Sequence, residues 1–170
     1  SSDVLEMVKS KGRVPMLHLP MEPIDRSAMS EGAATIRTDL SAAEKLSLTR
    51  RALNSLPGVM GVNNHQGSKA TADKDTMRVV LQELRRQKLF FVDSRTNSAS
   101  VARNMAQQLG VSTARNDIFL DNSSDVQAIR QQIYKAFAMA EKNGSVIAIC
   151  HARPNTAKCW EMYAAEFKRT

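Results

Sequence analysis

Residues 145–155 read SVIAICHARPN, and this stretch decides the class of fold. The five residues from Val146 to Cys150 are apolar or small, and the polarity then changes abruptly at His151. A short apolar run of this length is typical of a strand that is buried on both faces. The stretch therefore predicts a buried strand that delivers His151 and Arg153 to a polar edge.

The same pattern recurs along the chain as a short apolar run, polar residues and then a segment with apolar residues at helical spacing. The other apolar runs are VPMLHL (14–19), GVMGVNN (58–64), LFFVDS (89–94) and IFLD (118–121). Helices are predicted over residues 41–56, 73–87, 98–109, 124–142 and 156–168, and Ser41 with Glu44 forms a capping-box pattern in the first of them. Strands that alternate with helices predict an α/β domain with parallel strands and right-handed crossovers.

Length and composition are those of an ordinary globular domain. A chain of 170 residues is long enough for one core, so a single domain over residues 1–170 is expected. The net charge of +7 makes anionic polymers plausible neighbours. Aromatic residues make up only 5% and no nucleic-acid-binding motif is present, so nucleic acid is not a predicted partner. No window approaches 18 consecutive apolar residues, so no membrane span is predicted.

Polar side chains follow the predicted strands at the point where each strand ends. All three histidines of the chain, His18, His65 and His151, lie at such ends. In α/β domains the residues just past the carboxyl ends of the strands gather at one edge, and that edge binds the ligand. The other candidates there are Glu22, Asn63, Asn64, Asp93, Arg95, Asp121, Asn122 and Arg153. The sequence therefore predicts a functional site at this edge.

Imidazole and carboxylate side chains together suit zinc or another divalent transition metal. We predict His18, Glu22 and His65 as the metal ligands. His18 and Glu22 would both reach one ion if the sequence HLPME forms a turn, which Pro20 and Pro23 permit. An open coordination position would let the ion activate water and polarise a carbonyl group.

The remaining candidates suit acid–base chemistry and substrate contacts. Asp93 could act as a base or orient a histidine, and the alternative is an ion pair between Asp93 and Arg95 that only braces the edge. Arg95 or Arg153 could hold an anion or oxyanion, and His151 could donate a proton. The predicted substrate contacts are Asn63, Asn64, Asp121 and Asn122.

Two other chemistries fit the sequence poorly. The segment GVNNHQGSK (61–69) resembles a phosphate-binding loop, but five residues separate its glycines and Ser68 precedes Lys69. A serine-hydrolase elbow of the form G-x-S-x-G is absent. Cys150 and Cys159 match no zinc-ribbon spacing, and a disulfide between them is left open.

Five ordered motifs, LHLPMEP, GVNNHQGS, FFVDSRT, IFLDN and IAICHARP, resemble those of the divergent polysaccharide deacetylase family, a branch of the NodB-like carbohydrate esterases. The resemblance runs from about residue 13 to the end of the chain. It implies a distorted (β/α) barrel and the metal-dependent removal of N- or O-acetyl groups from a glycan. It also implies an exported, periplasmic location.

The resemblance also implies roles for individual positions. The family's His-x-x-x-His motif corresponds to residues 18–22, where Glu22 replaces the second histidine. His65 falls at the third motif, Asp93 and Arg95 at the fourth, and His151 at the late acid histidine. An early strand that resembles I-D-D-L-G and carries two aspartates is absent from the 170 residues, so we expect the first barrel strand to lie upstream of Ser1.

Two functions from different classes follow. The first is a metal-dependent deacetylase that acts on a cell-envelope polysaccharide such as peptidoglycan. The second is a catalytically inactive envelope protein that binds glycan, or regulates a cell-wall enzyme, through the same cleft. The polar connection at residues 22–40 would be a substrate lid or a mobile surface loop.

Overall fold

The computed structural model describes residues 2–29 and 32–168. The chain divides into two compact units, Ser1–Arg115 and Asn116–Thr170. Each unit contains parallel strands, helices and a hydrophobic cluster of its own. The predicted α/β class with parallel strands is confirmed.

The first unit is built around a parallel sheet with the strand order β1-β2-β3-β4. Its elements are α1 (Ser2–Ser10), β1 (Met16–Met21), α2 (Ala42–Ser55), β2 (Gly61–Gln66), α3 (Lys74–Arg86), β3 (Phe90–Asp93), α4 (Ala102–Gln108) and β4 (Thr113–Arg115). Because all neighbouring strands are parallel, their carboxyl ends lie at the same edge of the sheet. That edge carries the residues after β1, β2 and β3.

The core of the first unit forms where α3 packs against the sheet. Met77, Val80, Leu81 and Leu84 recur at helical spacing on α3 and are completely buried, as the sequence predicts. The capping box predicted at the start of α2 is also present, since Ser41 accepts from the Glu44 N–H group and Glu44 accepts from the Ser41 N–H group. The local signals in these two helices thus agree with the tertiary packing.

The second unit pairs two short parallel strands and packs two helices. Its elements are β5 (Ile118–Phe119), α5 (Val126–Asn143), β6 (Ala148–Ile149) and α6 (Pro154–Phe167). Ile129 and Ile133 of α5 are buried in a cluster that includes Cys159 and Phe167 of α6. Cys150 and Cys159 are free thiols.

A close contact aligns the amino ends of β2 and β3. Gly61 is paired with Phe90, and a Cβ atom at position 61 would lie 2.3 Å from an atom of the Phe90 ring. Since no side chain can approach a ring carbon that closely, the ring occupies the space that glycine leaves free. The Phe90 ring therefore lies over position 61 in this register of β2 and β3.

Four elements differ from the sequence-based expectation. The strand predicted at residues 145–150 is only two residues long and is not buried, since Ala148 and Cys150 are exposed and Ile149 is half-buried. The predictions did not include α1 or β4, and β1 continues in an extended form to Met21, so the turn considered for residues 18–22 does not form. Pro20 fits within this strand because β1 lies at an edge of the sheet in the described residues.

Glu83 of α3 is a buried carboxylate that ties α3 to α2. Its oxygens accept hydrogen bonds from Arg86 Nε and Nη2 at 3.0 and 2.6 Å, from Gln87 at 2.7 Å and from Arg50 on α2 at 3.1 Å. The bonds from Arg86 outweigh the opposing effect of burial and, with those from Gln87 and Arg50, lower the Glu83 pKa from 4.5 to about 2.

A Glu83→Gln variant is therefore expected to lose about 1–3 kcal/mol of unfolding free energy at pH 7. The pKa of Glu83 is lower in the folded state than in the unfolded state, so its contribution is fully present above about pH 4.5 and is lost as the pH falls towards about 2. Urea unfolding of both proteins from pH 7 to 2 measures this difference. A gap between variant and wild type that stays constant with pH would contradict it.

Candidate functional site

The carboxyl edge of the first unit brings together two of the three predicted metal ligands. In the register of β1 and β2, His18 pairs with Asn63 and Pro20 with His65. His65 follows Asn63 by two residues, so all three side chains lie on one face of the sheet. His65 Nδ1 lies 3.0 Å from His18 Nε2, and the ring centroids are 4.8 Å apart.

Asn63 and Ser94 support this histidine pair from the neighbouring strands. Asn63 Oδ1 lies 3.1 Å from His18 Nδ1, and Asn63 Nδ2 donates to Ser94 Oγ at 3.1 Å. Ser94 Oγ donates in turn to the backbone oxygen of Asn64 at 2.7 Å. We predicted no role for Ser94, although its position directly after β3 is the signal that could have identified it.

Asn64 is buried and supports the structure of the strand ends. We predicted it as a substrate contact, but its side chain is completely buried. Its Oδ1 accepts from the Ser94 N–H group at 2.8 Å, and its Nδ2 donates to the Gln66 carbonyl at 2.7 Å. Asn64 therefore joins the ends of β2 and β3 and leaves Asn63 as the half-buried amide beside His18.

Two residues at this edge adopt left-handed backbone conformations that are uncommon outside glycine. Gln66 follows His65 with φ 55°, and Arg95 follows Ser94 with φ 55°. Thr96 Oγ1 donates to the Gln66 carbonyl at 2.9 Å and connects the two turns. Such conformations persist where the surrounding structure enforces them, and they are concentrated at functional sites.

Asp93 holds the turn that carries Arg95. Its Oδ1 accepts from the Arg95 N–H group at 2.8 Å, and its Oδ2 accepts from Ser100 Oγ at 2.7 Å. The alternative of an Asp93–Arg95 ion pair is not found among the described residues. The Asp93 carboxylate accepts from the Arg95 backbone N–H group and does not pair with its guanidinium. Asp93 is buried, whereas Arg95 is exposed. Asp93 and Arg95 are two of the four predicted catalytic residues, and of this pair Arg95 is the accessible one.

Glu22, the third predicted metal ligand, is bound on all sides by other groups. Its side chain is 0% exposed. Oε1 accepts from Arg26 at 2.6 Å and from Lys69 at 3.0 Å, and Oε2 accepts from the Thr38 N–H group at 2.7 Å and its hydroxyl at 2.8 Å. Burial alone would raise the Glu22 pKa, but these bonds outweigh it and lower the pKa to about 2.

The extended backbone explains why Glu22 and His18 have separate environments. Four residues of strand span about 13 Å, whereas a turn would bring the two side chains together. Glu22 instead anchors the connection at residues 22–40, whose Ile36 is buried and exchanges backbone hydrogen bonds with Pro20 and Glu22. No local pattern identifies Lys69 as a partner of Glu22, because the two residues are 47 positions apart.

The imidazoles of His18 and His65 are the groups in this unit that suit a divalent metal. Two ring nitrogens face each other at 3.0 Å, and nitrogen donors of this type are common zinc ligands. Within residues 2–29 and 32–168, no group of three His, Cys, Asp or Glu side chains is arranged to hold a metal ion. The imidazoles of His18 and His65 could therefore supply two of the ligands of a zinc ion.

The second unit contains a carboxylate–histidine pair at the ends of β5 and β6. Asp121 Oδ1 lies 2.9 Å from His151 Nδ1, and Oδ2 accepts from the His151 N–H group at 2.7 Å and from Thr156 Oγ1 at 2.8 Å. Burial raises the Asp121 pKa, but the bonds from His151 and Thr156 outweigh it and leave the pKa lower than usual. The side chains of Asp121 and His151 are 1% and 41% exposed.

This geometry gives Asp121 a role other than the predicted substrate contact. A buried carboxylate that accepts from Nδ1 orients the ring and leaves Nε2 for proton transfer. Arg153 donates to the Asp121 backbone oxygen at 2.9 Å, whereas Asn122 is exposed. Thr156 was not predicted, and its place in the first turn of α6, three residues after Arg153, is the only sequence signal for it.

Comparison with known proteins agrees with the motifs. The sequence profile of a family described as divergent polysaccharide deacetylase matches residues 1–170. A solved structure of an uncharacterized protein from Agrobacterium tumefaciens has a TM-score of 0.90 over 97% of this chain and 68% of that chain, at 18% identity. This similarity shows the fold and is consistent with a distorted barrel of the NodB type.

Two curated proteins are similar in sequence. An uncharacterized protein from Haemophilus influenzae is 39% identical over 87% of this chain and 52% of its own length. The uncharacterized protein YibQ of Escherichia coli is 37% identical over 88% of this chain and 46% of its own length. The chain thus spans about half the length of these relatives. Among its described residues, no helix is both long and apolar enough to cross a membrane.

Proposed function

Because the chain belongs to the divergent polysaccharide deacetylase family, we propose that it is a metal-dependent deacetylase acting on a cell-envelope polysaccharide such as peptidoglycan. The reaction is the hydrolysis of N- or O-acetyl groups on the glycan. The observation that carries this proposal is the facing pair of His18 and His65 at the carboxyl edge of a parallel sheet. The proposal includes an exported, periplasmic location.

His18 and His65 would hold the metal in this proposal, with His18 binding through Nε2. Zinc suits two imidazole donors and tolerates an open coordination position. When bound, such a metal supplies Lewis acidity towards an acetyl carbonyl. The half-buried Asn63 and the exposed Arg95 belong to the same edge and could contact the hydroxyl, amide or anionic groups of a glycan.

His151 is the proposed proton donor to the departing amine or hydroxyl oxygen. This role rests on the chemistry within the second unit, where Asp121 accepts from Nδ1 and stabilises the protonated ring. In the protonated ring, Nε2 is the atom that would donate, because Nδ1 is held by Asp121. Arg153, held by the Asp121 carbonyl, adds positive charge to the same loop.

A second function has a specific observation in its favour. Glu22 stands where the family has a second histidine, and it is fully engaged by Arg26, Lys69 and Thr38. A protein that has converted a ligand position into a structural anchor could bind glycan, or a cell-wall enzyme, without catalysing the reaction. Metal binding distinguishes this regulator from the enzyme.

The test is metal analysis of the protein after purification and after reloading with zinc, cobalt or nickel. We expect about one metal ion per wild-type chain, and His18→Ala and His65→Ala are each expected to lower the affinity at least about 100-fold because each removes a ligand. His151→Ala is the matched control, since it removes the third histidine but lies in the other unit.

His151→Ala is expected to keep the metal and to lose acetate release from acetylated glycans. A wild-type protein that takes up no metal after reloading would contradict the enzyme proposal and support the regulator. Metal that is retained by both His18→Ala and His65→Ala would place the ion elsewhere.

A further inference from the structure

The backbone oxygen of Asn64 sets the direction of the hydrogen bonds around Asn63, because a carbonyl can only accept. Ser94 Oγ lies 2.7 Å from it and so uses its single proton there. Ser94 Oγ can therefore offer only a lone pair to Asn63 at 3.1 Å.

This fixes which way the Asn63 amide faces. The atom directed at Ser94 must be the donor, so Asn63 Nδ2 faces Ser94 and Oδ1 faces His18. The opposite orientation of the amide would put two acceptors, Asn63 Oδ1 and Ser94 Oγ, against each other. His18 Nδ1, at 3.1 Å from Oδ1, must then carry a proton.

We propose that Asn63 is a positioning residue, which holds neutral His18 as the Nδ1-protonated tautomer and thereby presents the Nε2 lone pair at the carboxyl edge. His18 Nε2 lies 3.0 Å from His65 Nδ1, on the side where a ligand nitrogen is required. The tautomer follows from the geometry alone, whereas its use in metal binding rests on the proposed function. Metal-binding histidines are commonly oriented in this way by an acceptor at the other ring nitrogen.

The Nε2-protonated tautomer of His18 could not bind a metal through Nε2. In free histidine the Nε2-protonated form predominates, and in that form the nitrogen facing His65 would carry a proton and could not bind a metal. Ser94 and the Asn64 carbonyl therefore act on the His18 ring through Asn63. A site at this edge would otherwise have to overcome the unfavourable tautomer each time the metal binds.

The experiment is a long-range ¹H–¹⁵N correlation spectrum of the ¹⁵N-labelled, metal-free chain at about pH 8, where histidine side chains are ordinarily neutral. With three histidines in the chain, His18→Ala and His151→Ala assign the signals. The variants are Asn63→Leu, which removes the acceptor, and Asn63→Asp, which keeps an oxygen next to His18 Nδ1. Zinc affinity is measured on the same samples by competition with a chromophoric chelator.

We expect His18 to be protonated at Nδ1 in wild type and in Asn63→Asp, and mainly at Nε2 in Asn63→Leu. Zinc affinity should fall about 10–100-fold in Asn63→Leu and much less in Asn63→Asp. A wild-type His18 protonated at Nε2, or an unchanged tautomer in Asn63→Leu, would overturn the proposal. If Asn63→Leu does not fold, the wild-type spectrum and Asn63→Asp still decide it.

Failure of this proposal and failure of the proposed function give different results. If wild type binds no zinc but His18 is protonated at Nδ1 and responds to Asn63→Leu, the positioning role stands and the metal-dependent enzyme does not. If zinc binds tightly with His18 in the other tautomer, the enzyme proposal stands and the role of Asn63 is wrong.

Discussion

Asp121→Asn is expected to slow acetate release about 10²–10⁴-fold, which is the largest effect on activity that we predict for an isosteric change. Two donors converge at the Oδ2 position of Asp121, the His151 N–H group and the Thr156 hydroxyl. An asparagine must place its oxygen there, so its NH₂ group faces His151 Nδ1. The ring is then forced into the tautomer with its proton on Nε2 and loses the negative charge that stabilises the imidazolium.

The effect should appear in kcat rather than in substrate affinity, because Asp121 is buried and acts through His151. Steady-state assays of acetate release measure it. Asp117→Asn is the matched control, since Asp117 Oδ2 also accepts a backbone N–H group, that of Ile147, but Asp117 is exposed and touches no histidine in the described residues. Equal rate losses in both variants would mean that the second unit is merely destabilised.

Glu22→Gln is expected to lower the free energy of unfolding by about 2–4 kcal/mol, the largest loss of stability predicted for a single change in this chain. Each Glu22 oxygen accepts from two donors, with Arg26 and Lys69 on one side and Thr38 on the other. A glutamine can turn its NH₂ group to either side, but on both sides it meets donors. No orientation satisfies the buried amide.

Urea unfolding at pH 7 measures this loss. Asp39→Asn is the control, because Asp39 also pairs with Arg26, at 2.8 Å, but its side chain is 47% exposed. A much smaller loss is expected there, since water screens exposed ion pairs. A Glu22→Gln protein as stable as wild type would show that the connection at residues 22–40 is held by Ile36 and its backbone bonds instead.

Much of the fold was predictable because its signals are local. Each of the five apolar runs contributes a strand, and α3 buries the four apolar residues that helical spacing identifies. β4 was missed because Thr113–Arg115 has three residues and no apolar run. The end of β1 was uncertain because Pro20 permits a turn, and only the pairing with β2 through Met21 shows that the strand continues.

The candidate site was predictable only in part. The meeting of His18 and His65 follows from the rule that parallel strands end at one edge, which the sequence alone could apply. The burial of Glu22, Asn64 and Asp121 does not follow from sequence, because each has partners that lie 16 to 47 residues away: Thr38 and Lys69, Ser94, and His151 respectively. Polar residues at strand ends therefore include both groups that face a ligand and groups that hold those in place.

The contact between Gly61 and Phe90 determines which way the histidine edge faces. Side chains alternate along a strand, so a slip of one position between β2 and β3 would turn Asn63 and His65 to the opposite face of the sheet. The phenyl ring fits only over glycine, and it therefore excludes that slipped pairing at a point four residues, or about 13 Å, from His65. The face of the sheet that carries Asn63 and His65 is thus set by a contact at the opposite end of β2.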